Sequence, residues 1–409
     1  MKRILIFSLA YTPYVGGAEI AIKETTTRLG FAEYRGEYLF DMITLRFDRN
    51  LPKVERIGNV TIHRIGFIED SPRISDRSLP FYLKVAKVLF PVTSFFKALS
   101  LHYHHPYDMI WALMANQAGF GALLFKLTHP RIPYLLELQD GNSLEQIKLR
   151  QPVVRFLWPL YIRVYTKADA IKAISIFIER LAREIGYHGR IEVIPNGVDV
   201  LKFSALIPEN RLLELKARYG KRIGDIFLFT ASRLVLSRGV EDVIRALKHL
   251  PLEVKFLIAG EGDDREKLEQ IAKETGVESR VIFAAHVSHD DLPAFLKISD
   301  IFVRPSIIEG MGSAFIEAFA AGIPVVATPV GGIPDFLFDP EKNPDKGPTG
   351  VFCNPRDPES VARAVKRYLD DPALVAMVVK NAKVLVEEKY DWNTITRDMH
   401  ENIFNPLLK

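Results

Sequence analysis

The chain reads as an α/β protein with two doubly wound parallel sheets, and three observations predict this. Its 409 residues exceed what one ordinary core accommodates. Short apolar runs bounded by Gly, Pro, Asp and Asn recur through both halves with helical stretches between them, the pattern of parallel strands covered on both faces. The motifs singled out below each fall just after such a run, where open α/β sheets bind ligands.

In the first half the strand candidates are Arg3 to Ser8, Asp41 to Leu45, Val60 to Ile65, Met109 to Leu113, Tyr134 to Leu138, Ala170 to Ile174 and Ile191 to Ile194, with helices from Gly17 to Leu29 and near Gln117 to Leu127. A polar stretch from Asp199 to Asp225 separates this series from the next, so the domain boundary falls near Val200: residues 1–200 form one domain and 201–389 the other. The second series has strands at Ile226 to Thr230, Val254 to Ala259, Val281 to Phe283, Ile301 to Val303 and Val325 to Thr328, and helices after Gly239 and Asp263. Apolar residues at helical spacing predict helices over Glu359 to Leu369 and Ala373 to Glu388.

The most informative segment runs from Arg304 to Ala318. After the strand Ile301 to Val303 the turn breaks at Gly310 and Gly312, Ser313 is placed to cap, and Ser313 to Ala321 is helical until Gly322 and Pro324 stop it. Free N–H groups at such a helix start attract a phosphate-like anion. Phosphate and carboxylate repel, so Glu309 and Glu317 make sense as acceptors for neutral hydroxyls, such as those of a sugar and a ribose. Phe315, Ala318, Phe319 and Ala320 make the helix mostly apolar, and a carboxylate there needs a partner. A nucleotide-sugar offers both kinds of hydroxyl.

Glu309 and Glu317, at E-x7-E spacing, resemble the signature of retaining glycosyltransferases of the GT-B type, close to family 4. The resemblance extends in order through Tyr11-Thr12-Pro13-Tyr14-Val15-Gly16-Gly17-Ala18-Glu19, Pro195-Asn196-Gly197-Val198-Asp199, Arg233-Leu234-Val235 with Arg238-Gly239-Val240, and Gly331-Gly332. It implies two Rossmann-like domains facing a central cleft, an acceptor-binding one followed by a nucleotide-sugar-binding one, with residues 390–409 packing back on the first.

Transfer from a nucleotide-sugar builds negative charge on the leaving diphosphate, which needs fixed cations or N–H dipoles. Arg233 and Arg238 are placed to supply the cations; the family usually has lysine where Arg238 stands, and arginine docks in a planar, bidentate way instead. Glu309 would meet the sugar hydroxyls while the N–H groups of Gly310, Met311, Gly312 and Ser313 line the donor pocket, and Glu317 would face the ribose. Gly16 and Gly17 allow close backbone approach to a phosphate or to the acceptor, and Asn196 shapes the turn before the linker. Where many relatives carry histidine, this chain has Gln139-Asp140-Gly141. Gln139 cannot exchange a proton but can hydrogen-bond, and Asp140 takes part of that role unless the leaving phosphate itself deprotonates the acceptor.

No Asp-x-Asp pair follows a strand, so no metal is expected; Asp263-Asp264 and Asp290-Asp291 start helices, and His102, His104 and His105 read as solvated or membrane-facing residues of a loop beside Pro106. The single cysteine, Cys353, excludes an internal disulfide and reads as a small apolar side chain. Net charge of +4 does not imply nucleic acid. Met1 to Ser8 lacks the pattern of a secretory signal, which predicts a cytoplasmic protein.

Between Ser71 and Pro106 the bases Arg73, Arg77, Lys84, Lys87 and Lys97 stand against one acid, Asp76, and are interleaved with Phe81, Tyr82, Leu83, Val85, Val88, Leu89, Phe90, Phe95, Phe96 and Leu99. With Pro91 dividing the run, this suits a helix pair at an anionic headgroup boundary, at the inner face of the plasma membrane. A second such region holds Lys148, Arg150, Arg155, Arg163 and Lys167 around Phe156, Leu157, Trp158 and Tyr161. The acceptor then reads as lipid-linked or a growing surface glycan. The competing readings are a nucleotide-sugar epimerase of the same two-domain plan and a non-catalytic sugar-binding relative; a dinucleotide oxidoreductase lacks its G-x-G-x-x-G turn.

Overall fold

The computed structural model describes residues 1–13, 16–30, 34, 36–66, 80–150 and 155–409, the side chains of 149 and 150 apart. Tyr14, Val15, Ser71, Arg73, Asp76, Arg77 and the Arg150 side chain therefore lie outside the described residues. The chain divides into two compact units, Met1–Asn196 with Trp392–Lys409, and Gly197–Asp391.

The first unit is built on an eight-stranded sheet: β1 (Lys2–Phe7), β2 (Tyr38–Leu45), β3 (Val54–Ile57), β4 (Val60–Ile65), β5 (Met109–Leu113), β6 (Tyr134–Leu138), β7 (Ala170–Ala173) and β8 (Arg190–Val193). The order is β3-β4-β2-β1-β5-β6-β7-β8, parallel throughout except the β3–β4 hairpin. β5 and β6 are buried throughout and β1 from Ile4 onward, as apolar runs covered on both faces should be. β3, with Glu55 and Arg56, has no apolar run to betray it and forms the outer edge. On one face the core gathers Ile4, Ile22, Met42, Trp111 and Leu135, and the last segment returns to complete it with Trp392, Ile395, Met399, Ile403 and Phe404, all buried. Burying five such side chains contributes on the order of 10 kcal/mol gross, so the returning helix Trp392–Met399 and the π-helical turn after it are structural parts of this unit.

Helix Phe81–His104 runs unbroken through Pro91 rather than forming two helices. Its buried face, Leu83, Ala86, Phe90, Ser94 and Ala98, is continuous, and at the centre Gly121 of helix Gln117–Thr128 lies so close that a Cβ there would stand 2.3 Å from Ser94 Oγ. Packing both halves on this unit outweighs the one backbone hydrogen bond that proline forfeits. His102 and His104 belong to its last turn and His105 caps it, so the histidines are not in a loop; the His102 ring packs on Phe125, His129 and Tyr107, and its Nδ1 accepts from the Tyr107 N–H.

The second unit carries a six-stranded, wholly parallel sheet: β9 (Ile226–Ala231), β10 (Val254–Ala259), β11 (Val281–Phe283), β12 (Ile301–Arg304), β13 (Val325–Ala327) and the two-residue β14 (Val351–Phe352), in the order β11-β10-β9-β12-β13-β14. The strand order reverses between β9 and β12, and the turns leaving those two strands flank that point. The polar stretch after Asp199 opens this unit. It folds into helices Val200–Ser204 and Glu209–Arg218 and belongs to this unit, because Phe203 and Leu215 supply buried anchors. Cys353 is buried among apolar residues, and burial pushes its thiol well up.

Asp242, in helix Val240–Ala246, is buried and accepts the Arg356 N–H at 3.1 Å. Burial, with Glu241 adding to it, pushes its carboxyl up to about 6. The folded state thus binds this proton more tightly than the unfolded chain does, so the group's contribution to stability falls as pH rises through about 4 to 6 and its cost is fully present above that window. Asp242→Asn keeps an acceptor and removes the cost. It should raise the thermal midpoint at about pH 7.5 and gain less at about pH 5, measured by thermal denaturation; an equal gain at both values contradicts this account.

Candidate active site

The turns after β9 and β12 meet through bare backbone. Gly239 (φ +70°) lies against the Pro305 carbonyl, where a Cβ would stand 1.9 Å from the oxygen, and Gly331 (φ +57°), after β13, lies against the Glu309 carbonyl, where a Cβ would stand 1.7 Å away. The Ile307 N–H donates to Ser237 O at 2.9 Å, and Thr328 Oγ1 donates to Ser306 O at 2.5 Å. These contacts fix the 305–312 turn from both neighbours.

Glu309 is the centre of that turn. Its Oε2 accepts from Arg238 Nη1 at 2.8 Å, Arg304 Nη2 at 3.0 Å and Ser306 Oγ at 3.3 Å, whereas its Oε1 has no partner among the described residues. Arg304, the last residue of β12, is fully enclosed: Nη1 donates to Ala231 O at 3.2 Å, and its guanidinium lies 4.2 Å from the centre of the Phe315 ring. Burial draws the Arg304 guanidinium down from its ordinary value, and the Glu309 carboxylate acts against that. Arg238, in the 3-10 turn Leu236–Arg238, also donates Nη1 to Ile308 O at 3.1 Å, while Nη2 and Nε carry no bond among the described residues. Two guanidinium groups share the Glu309 carboxylate, and the Glu317 carboxylate acts on Arg304 as well. Chemically, the unbonded N–H groups of Arg238 can donate to an anion and Glu309 Oε1 can accept from a hydroxyl.

The helix after the turn spans Ser313–Ala321 and is capped by Gly312 in the left-handed conformation (φ +93°), not by Ser313. A side chain at 312 would also meet Phe315 and the Arg304 guanidinium, which is why glycine stands there. The first-turn N–H groups from Ser313 onward have no carbonyl four residues back within the helix. Met311 is buried. Glu317 lies on this helix, largely covered, with Oε1 3.0 Å from His289 Nε2. Arg233, by contrast, projects into solvent and makes no side-chain bond among the described residues.

In the first unit, Gly16 caps helix Gly17–Arg28, and its N–H is taken by Glu19 Oε2 at 2.7 Å. Gln139 and Asn196 are locked face to face: Asn196 Nδ2 donates to Gln139 Oε1 at 2.8 Å and Gln139 Nε2 donates to Asn196 Oδ1 at 3.2 Å and to Glu137 Oε1 at 2.6 Å. Glu137 is wholly buried and accepts from Trp111 Nε1 at 3.0 Å and from its cross-strand neighbour Lys172 at 2.7 Å, itself buried. Asp140 is exposed and turns its Oδ1 to the N–H of Asn142 at 3.1 Å. Sequence reasoning missed Arg304, Ser306, His289, Glu137 and Lys172. Arg304 alone left a trace, as a charged residue closing an apolar strand.

Two family models match the chain, the glycosyl transferase 4-like domain over residues 35–197 and glycosyl transferases group 1 over residues 213–385. An uncharacterized glycosyltransferase of Methanocaldococcus jannaschii is 28% identical over 404 residues, 97% of this chain and 96% of the relative. A GDP-mannose-dependent alpha-(1-6)-phosphatidylinositol monomannoside mannosyltransferase of Mycolicibacterium smegmatis is 31% identical over 244 residues, 57% of this chain and 61% of the relative. The solved sucrose-phosphate synthase of Thermosynechococcus elongatus superposes with a TM-score of 0.79 at 21% identity, over 100% of this chain and 99% of its own, and shares the fold. The chain belongs to the glycosyl transferase group 1 family, family 4, with the GT-B fold, and is a glycosyltransferase using a nucleotide-sugar donor.

Because Gly331 has no room for a Cβ, Gly331→Ala must displace the Glu309 backbone. Transfer should fall by about a hundredfold in a protein whose circular dichroism is unchanged, as expected when a site residue moves by about 1 Å. Full turnover in that variant would show that the placement of Glu309 is immaterial.

Proposed function

We propose that the chain is a retaining hexosyltransferase that moves a sugar from a nucleotide-diphosphate donor held by the second unit to a lipid-linked or glycan acceptor held by the first, in the synthesis of a cell-envelope or surface polysaccharide. The observation that carries this reading is the Glu309 carboxylate with one oxygen gripped by Arg238, Arg304 and Ser306 and the other open to a hydroxyl.

The open N–H groups of Arg238, with Arg233 and the backbone N–H groups of Gly310, Met311, Gly312 and Ser313, hold the diphosphate, while Glu309 Oε1 takes a hydroxyl of the sugar and Glu317 the ribose. The bond from the anomeric carbon to the diphosphate oxygen breaks, the acceptor oxygen bonds that carbon on the same face, and the acceptor's proton passes to the leaving phosphate. No protein base is needed at Gln139, whose amide is already closed on Asn196 and Glu137. Gly16, Gly17, Asp140 and Asn196 border the acceptor.

A lipid-linked acceptor is supported by helix Phe81–His104. Its outer face presents Phe81, Val88, Leu89, Val92 and Phe96 in a stripe edged by Lys84, Lys87 and Lys97, suited to an anionic headgroup layer, as at the inner face of the plasma membrane. No helix among the described residues is long and apolar enough to cross a membrane, so contact there is peripheral. The mycobacterial relative named for a phosphatidylinositol monomannoside points to the same class of acceptor.

Glu309→Ala and Arg238→Ala should each cut transfer by about a hundredfold or more while leaving the protein folded, and normal turnover in either defeats the site assignment. In flotation with phosphatidylglycerol vesicles at low salt the protein should rise with the lipid, and the combined change Phe81→Ser, Val88→Ser and Phe96→Ser should leave it behind. Absence of binding together with full activity on a soluble acceptor removes the membrane claim.

A further inference from the structure

We propose that His289 is a positioning residue for Glu317, setting the preference for a ribose over a deoxyribose in the donor nucleotide; this rests on the reading of Glu317 as the ribose acceptor. His289 lies in the loop before helix Leu292–Lys297, outside every motif that the sequence marks. Its two ring nitrogens have different partners. Nδ1 is 3.3 Å from Lys202 Nζ, and an ammonium only donates, so Nδ1 accepts and the ring hydrogen sits on Nε2. That hydrogen is donated to Glu317 Oε1 across 3.0 Å.

The imidazole is held from a third side. Phe203, fully buried, meets it edge-on with ring centres 5.4 Å apart, and Lys202 is itself anchored by Asp290 Oδ1 at 2.6 Å. Lys202 and Phe203 both come from helix Val200–Ser204, which exists because Asp199 caps it through the Lys202 N–H at 3.0 Å. This short helix is thus a backing for His289. A glutamate has three rotatable side-chain bonds, and on this mostly apolar helix the bond from His289 is the one hydrogen bond among the described residues that fixes the carboxylate, with the Arg304 charge also acting on it. With Oε1 held, Oε2 remains for a vicinal hydroxyl of the nucleotide. His289 touches no substrate in this arrangement; it acts by presenting the carboxylate already aimed.

Isothermal titration of the full chain with UDP, GDP and ADP identifies the tightest nucleotide, which is then compared with its 2′- and 3′-deoxy forms. The wild type should prefer the ribonucleotide, and Glu317→Gln should abolish that preference. His289→Ala should weaken the ribonucleotide by about tenfold and leave the deoxy forms almost unchanged, whereas His289→Gln, whose amide N–H can occupy the Nε2 position, should restore most of the loss. Thermal midpoints close to wild type establish that each variant is folded. If His289→Ala retains the full preference while Glu317→Gln loses it, His289 has no such role and the reading of Glu317 stands. If the glutamine variant fails to restore binding, the directed Nε2–H is wrong. If the wild type binds ribo and deoxy forms equally, the reading of Glu317 falls and this inference falls with it.

Discussion

Everything at the site depends on one carboxylate oxygen. Glu309 Oε2 collects two guanidinium groups and a hydroxyl, and those donors come from the turn after β9 and from the end of β12 and the turn that follows it, on either side of the point where the strand order reverses. An unpaired carboxylate as covered as this one would be expensive, and removing one member of a buried ion pair typically costs about 3–5 kcal/mol. The same grouping leaves the Nη2 and Nε hydrogens of Arg238 without a bond among the described residues. A site needing to hold both a diphosphate and the hydroxyls beside it requires that combination, since the acid is neutralised from behind before any phosphate arrives.

The first unit solves a similar problem differently. Glu137 and Lys172 face each other across β6 and β7 in full burial, and Trp111 and Gln139 use the remaining acceptor capacity of the carboxylate. A buried hydrogen-bonded network of this kind fixes the end of β6, because every member restricts the next. Its consequence is that the Gln139 amide is bound within the protein, to Glu137 and Asn196.

Much of this was legible in the sequence. Both sheets announce themselves through apolar runs, and the glycine at 312 marks the turn correctly because its cause is local backbone geometry. The failures have local explanations too. β3 carries charges on an exposed edge and β14 has only two residues, so neither gives a periodic signal. Pro91 predicts a break that helix packing overrides, and Ser313 resembles a cap but Gly312 takes the position through a left-handed conformation. What the sequence could not show is who meets whom. His289 and Glu317 are 28 positions apart, Arg238 and Glu309 are 71 apart, and only the order of strands in the sheet brings them together.

The most direct test is a crystal structure of the chain with an intact, slowly transferred nucleotide-sugar. The account predicts a diphosphate oxygen within about 3 Å of Arg238 Nη2 or Nε, and a sugar hydroxyl at the same distance from Glu309 Oε1. A donor bound with its diphosphate remote from Arg238, or with Glu309 facing only protein, would contradict it.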